Sequence, residues 1–152
     1  MVVNISEGDE FPPFSLLDDS GKRVTNADLK KGKPSILYFY PMDDTPGCTK
    51  EACNFRDNLE RFRSLGIPVY GVSVDDAESH GKFKKKYNLN FPLLSDPKKS
   101  LVESLGIASP SGKAQRVSFV LDKDGKVAKI YPKVSPDQHA NEILSYISSS
   151  AK

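Results

Sequence analysis

Every position from Ile36 to Tyr40 is apolar or aromatic, and Pro41 follows directly. A strand with one face in water alternates, so a continuous run of this kind is expected of a central strand covered on both faces, and Pro41 ends it. Ile67 to Val74 reads the same way. Between the two runs stands helical punctuation: Thr45 as a candidate N-cap, Pro46 at the first helical position, and Gly66 just past a stretch that reaches Ser64. With residues placed at about 100° intervals, Cys48, Ala52, Phe55, Leu59 and Phe62 share one stripe, while Arg56, Asp57, Glu60 and Arg63 fall largely outside it. Strand, helix and strand make one crossover unit, which requires a sheet with helices layered on it.

The remaining elements extend that unit. Phe14 to Leu17 and Arg23 to Thr25 flank a turn at Asp19-Ser20-Gly21-Lys22, which predicts an N-terminal β-hairpin. A helix is expected around Ala77 to Tyr87, a short strand near Leu93-Leu94, and a short helix through Ser100 to Leu105 that stops at Gly106. Ala108 through Ser109-Pro110-Ser111-Gly112-Lys113 reads as a flexible loop. Val117 to Leu121 and Val127 to Tyr131 flank Asp122-Lys123-Asp124-Gly125-Lys126 as a second hairpin; the acidic turn lacks the ligand register and terminal Glu of a calcium loop. Ser135-Pro136-Asp137-Gln138 predicts the start of a last helix, with Ile143, Leu144 and Ile147 on its buried side. The pattern implies an α/β, three-layer sandwich: a mixed central sheet with helices on both faces. Residues 1–152 are expected to form a single domain, a length at which folding buries about 68–70% of the unfolded chain's surface without disulfide staples or a structural metal.

Composition narrows the partners. Lys plus Arg number 22 against 20 Asp plus Glu, a net charge of +2, so the strong basic excess of a nucleic-acid binder is missing. Lys82, Lys84, Lys85 and Lys86 form a basic run, but Phe83 and Tyr87 one turn apart give it a buried side, which points to a solvated helix face. No apolar run approaches the ~18 residues of a spanning helix, so no membrane role is expected. Neither chain end reads as a targeting signal, which leads to an expectation of a reducing, cytoplasmic setting. In such a setting two cysteines five positions apart are catalytic, redox-sensing or metal-binding more often than structural.

Cys48 falls in the first turn of the predicted helix, where unpaired backbone N–H groups and the helix dipole favour negative charge and so a thiolate. Thr45 brings a hydroxyl near the sulfur and Gly47 permits close backbone approach, while Asp43 and Asp44 oppose ionisation, so a cation is wanted. A plainer reading makes Cys48 a small core residue on the apolar stripe. Cys53 does not fit that reading, since it lies about 140° around the helix from Cys48. In an intact helix their Cα atoms are roughly 8.6 Å apart, beyond the ~7 Å that a disulfide spans, so pairing would require the first turns to unwind.

The residues around Cys48 resemble the active-site segment of peroxiredoxins of the bacterioferritin-comigratory or peroxiredoxin Q group. Tyr38-Phe39-Tyr40-Pro41, Asp43-Asp44-Thr45-Pro46-Gly47-Cys48-Thr49, Glu51-Ala52-Cys53 and Phe55-Arg56-Asp57 carry the likeness, which includes Pro-x-x-x-Thr-x-x-Cys as Pro41, Thr45 and Cys48. It continues through Gly71-Val72-Ser73, Phe91-Pro92-Leu93-Leu94-Ser95-Asp96 and Arg116-Val117-Ser118-Phe119-Val120-Leu121-Asp122, covering nearly the whole chain. The resemblance implies a thioredoxin-like fold and a thiol-dependent peroxidase acting on hydrogen peroxide and organic hydroperoxides without a cofactor or metal. Cys48 would be the peroxidatic thiol, passing through a sulfenic acid, and Cys53 would resolve it as an intramolecular disulfide that thioredoxin or a similar dithiol protein reduces. Thr45 and Arg116 would bind the peroxide oxygens, and Pro41 would shield the site. A monomer is expected, with a dimer as the alternative. Two positions depart from the group's pattern: Met42 stands where Lys is frequent, and Ala114-Gln115 precede Arg116 where Pro is common. Both belong to the expected pocket rim.

Two rivals are weighed against this reading. A thioredoxin-like dithiol carrier or redox sensor would share the scaffold, but its Cys-x-x-Cys spacing is absent. A zinc site of Cys48, Cys53, His80 and His139 has poor spacing, and both histidines are expected to be ordinary surface or capping residues.

Overall fold

The computed structural model describes residues 3–30 and 32–150. Its strands are β1 (Ser15–Asp18), β2 (Arg23–Thr25), β3 (Ser35–Phe39), β4 (Val69–Ser73), β5 (Leu93–Ser95), β6 (Val117–Leu121) and β7 (Val127–Tyr131). The α-helices are α1 (Pro46–Ser64), α2 (Ala77–Tyr87), α3 (Ser100–Ser104) and α4 (His139–Ser150). The described strands form one sheet in the order β2-β1-β5-β4-β3-β6-β7. β3, β4 and β5 run parallel, whereas β1 and β6 join them antiparallel, so the sheet is mixed.

All five residues of β3 are buried, as the unbroken apolar run requires of a strand between two layers. Ile36, Tyr38 and Tyr40 face a core completed by Phe55 and Phe62 of α1, Phe83 of α2, and Ile143 and Leu144 of α4. Leu37 and Phe39 face a second core with Val24, Leu29, Leu101, Val102 and Leu105. Alternation along one strand thus serves two cores, which produces the three layers. Tyr38 stacks on Phe55 with ring centroids 4.4 Å apart. Its partner across the ladder is Gly71, where a Cβ would come within 2.9 Å of the Tyr38 hydroxyl.

Two segments differ from the expectation. α4 begins at His139, and Pro136-Asp137-Gln138 form a turn ahead of it. The reason is tertiary: Asn54 of α1 accepts the Ala140 N–H on its Oδ1 at 2.8 Å, capping α4 from across the core. The stretch read as a flexible loop is laced shut. Ala108 bridges Ala114, the Ser109 and Lys113 backbones bond, and Ala114 is buried.

Candidate active site

The turn between β3 and α1 sets the site. Asp44 adopts a left-handed conformation (φ 59°), which a short polar side chain tolerates. Its carboxylate receives Lys86 Nζ at 2.8 Å and the Tyr87 hydroxyl at 2.7 Å, and these two bonds hold it below the usual carboxylate range. Asp43 is buried against His80, with Oδ2 2.7 Å from Nδ1. Of the two acids expected to oppose a thiolate, Asp44 therefore carries a cationic partner and Asp43 a buried imidazole. Pro41 and Met42 are half-buried in the same turn, and Lys113 Nζ lies 3.7 Å from Met42 Sδ.

Thr45 occupies the N-cap of α1, yet its side chain makes no capping bond; the hydroxyl donates to the Met42 carbonyl at 3.0 Å. Pro46 takes the first helical position, and Cys48 follows in the first turn with 1% of its surface exposed. The cation the sequence asked for is Arg116, 68 residues away along the chain, whose Nη2 donates to Cys48 Sγ at 3.4 Å. Antiparallel pairing of β6 with β3 sets Val117 opposite Phe39, which carries the preceding Arg116 to the end of β3 where α1 starts. A Cβ on Gly47 would stand 3.0 Å from Arg116 Nη2, so glycine there clears room for the guanidinium.

Arg116 is held in turn by Glu51, whose Oε1 accepts from Nη1 at 2.7 Å. Glu51 is wholly buried and its Oε2 has no hydrogen-bond partner among the described residues. Burial pushes its carboxyl up to about 7, against the opposing charge and hydrogen bond of Arg116. Glu51 received no role from sequence reasoning, although at about 60° from Cys48 its helical angle already placed it beside Phe62 at the stripe's edge. Cys53 is half-buried, and both cysteines are free, with α1 continuous through them.

His80 and His139, expected to be ordinary surface or capping residues, are not at the surface, since both are fully buried. Each is matched to fixed polar partners, which is what makes burial affordable. His80 bonds Asp43 and the Leu94 carbonyl; His139 faces Ser118 Oγ at 2.7 Å and Glu142 at 3.3 Å. Burial pushes the His139 ring down despite Glu142. Neither histidine joins a cysteine, and among the described residues the grouping with ligand atoms close together is Asp43, Asp75 and His80, which includes no thiol. The zinc reading therefore has no site. The lysine run is dispersed into separate pairs, Lys82 with Glu78, Lys84 with Asp19 and Lys86 with Asp44, around a buried Phe83. No described helix is long and apolar enough to cross a membrane.

The sequence model of the AhpC/TSA family matches residues 7–130, a span that contains every element of this site up to Arg116. This chain belongs to that family. A chloroplastic peroxiredoxin Q from Suaeda salsa is 43% identical over 98% of this chain and 71% of its own length. A Coxiella burnetii protein named as a peroxiredoxin bcp is 41% identical over 93% of this chain and 98% of its own. A solved structure of the Xanthomonas campestris bacterioferritin comigratory protein, studied for alkyl peroxide reduction through trapped intermediate and ligand complexes, superposes with a TM-score of 0.87 at 30% identity. It covers 97% of this chain and all of the other. The fold of this AhpC/TSA-family chain is thus thioredoxin-like, and its group is that of peroxiredoxin Q and the bacterioferritin comigratory proteins. Membership makes it a thiol peroxidase. For this peroxiredoxin the two pattern departures, Met42 and Ala114-Gln115, lie in adjoining segments that meet through Lys113 and Met42.

Proposed function

We propose that Cys48 is the peroxidatic cysteine of a two-cysteine cycle completed by Cys53 and a dithiol protein. The observation that carries this reading is the Arg116 guanidinium, 3.4 Å from Cys48 Sγ and anchored behind by buried Glu51. A fixed cation beside a thiol at a helix start favours the thiolate and the negative charge that develops as a peroxide is cleaved. Cys48 sulfur attacks one peroxide oxygen, forming an S–O bond and breaking the O–O bond. Sulfur supplies the electron pair, and the departing alkoxide or hydroxide takes a proton to become an alcohol or water. Thr45, whose hydroxyl commits its proton to the Met42 carbonyl and so offers lone pairs to the peroxide O–H, and Arg116 hold the peroxide oxygens, while Pro41 shields the new sulfenic acid.

Cys53 then attacks the Cys48 sulfur; an S–S bond forms, the S–O bond breaks, and hydroxide leaves as water after protonation. An intact α1 keeps the two Cα atoms roughly 8.6 Å apart, so this step needs residues 45 to 54 to unwind and rewind. Thioredoxin or a similar dithiol returns the disulfide to two thiols by exchange. Such a cycle belongs in a reducing compartment, which supports the cytoplasmic reading, and one chain contains all of its residues. A peroxide titration with thioredoxin and its reductase, followed by mass mapping of a Cys48–Cys53 bond, tests the proposal. Absence of that bond after turnover removes Cys53 from its role.

A further inference from the structure

The Thr45 hydroxyl is aimed by a peptide group that is itself held from two sides. Its acceptor is the Met42 carbonyl, and the N–H of the same peptide unit, on Asp43, donates to Asp75 Oδ2 at 2.9 Å. Ser73 Oγ fixes Asp75 at 2.7 Å. The Asp43 side chain supplies the second hold. Its Oδ1 accepts the Tyr40 hydroxyl at 2.6 Å, and its Oδ2 accepts Ser79 Oγ at 2.8 Å and faces His80 Nδ1 at 2.7 Å. On the far side of the ring, Nε2 faces the Leu94 carbonyl at 2.9 Å.

Both nitrogens of His80 therefore face acceptors. The Tyr40 hydroxyl, 3.4 Å from Nδ1, has committed its proton to Asp43. A neutral imidazole has one N–H and would leave a bare lone pair against either Asp43 or Leu94, whereas an imidazolium satisfies both. The groups facing the ring are Asp43 from the β3–α1 turn, Asp75 from the β4–α2 connection, Tyr40 from the end of β3 and the Leu94 carbonyl of β5. Burial alone would push the His80 ring down; the Asp43 hydrogen bond and charge outweigh it and hold the proton above the ordinary histidine range. Asp43, Asp75 and His80 bring ligand atoms within 4.8 Å of one another, but Nδ1 and Asp43 Oδ2 are 2.7 Å apart, in direct hydrogen-bond contact.

We propose that His80, as a buried imidazolium, is a positioning residue for the peroxidatic centre: through Asp43 it orients the Met42–Asp43 peptide, and with it the Thr45 hydroxyl and the entry to α1. This rests on the peroxidase reading above. Because folding raises the affinity of the ring for its proton, the hold is complete below the ordinary histidine pKa of about 6.5 and is lost as pH rises through the folded-state value. A neutral ring beside a carboxylate loosens the turn, so the rate of peroxide reduction falls on the alkaline side.

The test follows the second-order rate of Cys48 oxidation by hydrogen peroxide across pH in the full chain, with ring-nitrogen NMR of His80 on the same samples. Both His80 nitrogens should carry protons at neutral pH, and the alkaline loss of rate should track the ring's titration. His80→Gln, which donates to only one of the two acceptors, should lower the rate roughly tenfold to hundredfold. Asp43→Asn can donate to a neutral ring, so it should cost less than His80→Gln and should abolish the alkaline limb. A singly protonated ring at neutral pH, or an alkaline limb that persists in Asp43→Asn, overturns the proposal even if His80→Gln fails to fold. A wild-type rate in His80→Gln overturns the positioning role alone. Failure of the unaltered chain to oxidise Cys48 with peroxide overturns the peroxidase reading beneath it.

Discussion

Arg116 stands between two buried groups, donating 2.7 Å to Glu51 on one side and 3.4 Å to Cys48 on the other. A guanidinium spans such a pair because its donors form a rigid planar fork, which a lysine ammonium cannot reproduce. Glu51 thereby decides where the cation sits. The proposed chemistry of Cys48 depends on that placement.

Glu51→Gln should keep the side chain's shape while removing its charge, loosening Arg116. The expected result is a peroxide-reduction rate lower by about tenfold, with Cys48 still able to react, in single-turnover kinetics. The pH dependence of stability checks the same residue. Folding raises the Glu51 carboxyl from 4.5 to about 7, so its contribution is fully present below 4.5 and is lost as pH climbs toward about 7. Loss of that slope in the variant, up to about 3 kcal/mol by urea denaturation, is the expected signature.

Gly47→Ala places a methyl group 3.0 Å from Arg116 Nη2. The backbone at Gly47 carries no positive φ, so stability should change little while the guanidinium is pushed off the sulfur. Peroxide reactivity is expected to fall roughly tenfold to hundredfold at an unfolding midpoint close to that of the parent. Equal losses of stability and rate would point instead to a general packing defect.

The two cysteines should separate kinetically. Cys48→Ser abolishes peroxide reduction, whereas Cys53→Ser still forms a trappable sulfenic acid but turns over poorly with thioredoxin. Hydrogen exchange supplies the structural counterpart: amides of residues 45 to 54 should exchange faster in the oxidised protein than in the reduced one. Unchanged protection there would contradict the need to unwind α1.

Asn54 caps α4 from outside that helix, through Ala140 N–H at 2.8 Å, and its Nδ2 also donates to Asn141 at 3.0 Å. Asn54→Ala should cost about 1–2 kcal/mol, the ordinary worth of a lost helix cap, measured by chemical denaturation. Fraying should be confined to the first turn of α4, visible as exchange of the Ala140 and Asn141 amides.

Much of the architecture follows from local pattern. The unbroken apolar run of β3, the stripe and punctuation of α1, and the turn residues of both hairpins each report a choice made within a few residues, because helix and strand periods decide which side chains share a face. The spacing of Thr45, Cys48 and Cys53 follows for the same reason, since they are near neighbours at the start of one helix. His80 and His139 were misjudged because burial of a histidine depends on distant partners: Asp43 and Leu94 for one, Ser118 and Glu142 for the other. α4 began late because its cap lies in another helix.

By itself the amino-acid sequence determined the crossover unit, the placement of a thiol at a helix start and the five-residue spacing to the second thiol. Only the tertiary structure decided which charges meet that thiol. Pairing β6 antiparallel to β3 brings Arg116 across 68 residues to Cys48, and the packing of α1 against the sheet buries Glu51 behind it. Periodicity identifies a buried face, but which polar atoms meet across that face is set by strand register and helix docking, and those are properties of the whole fold.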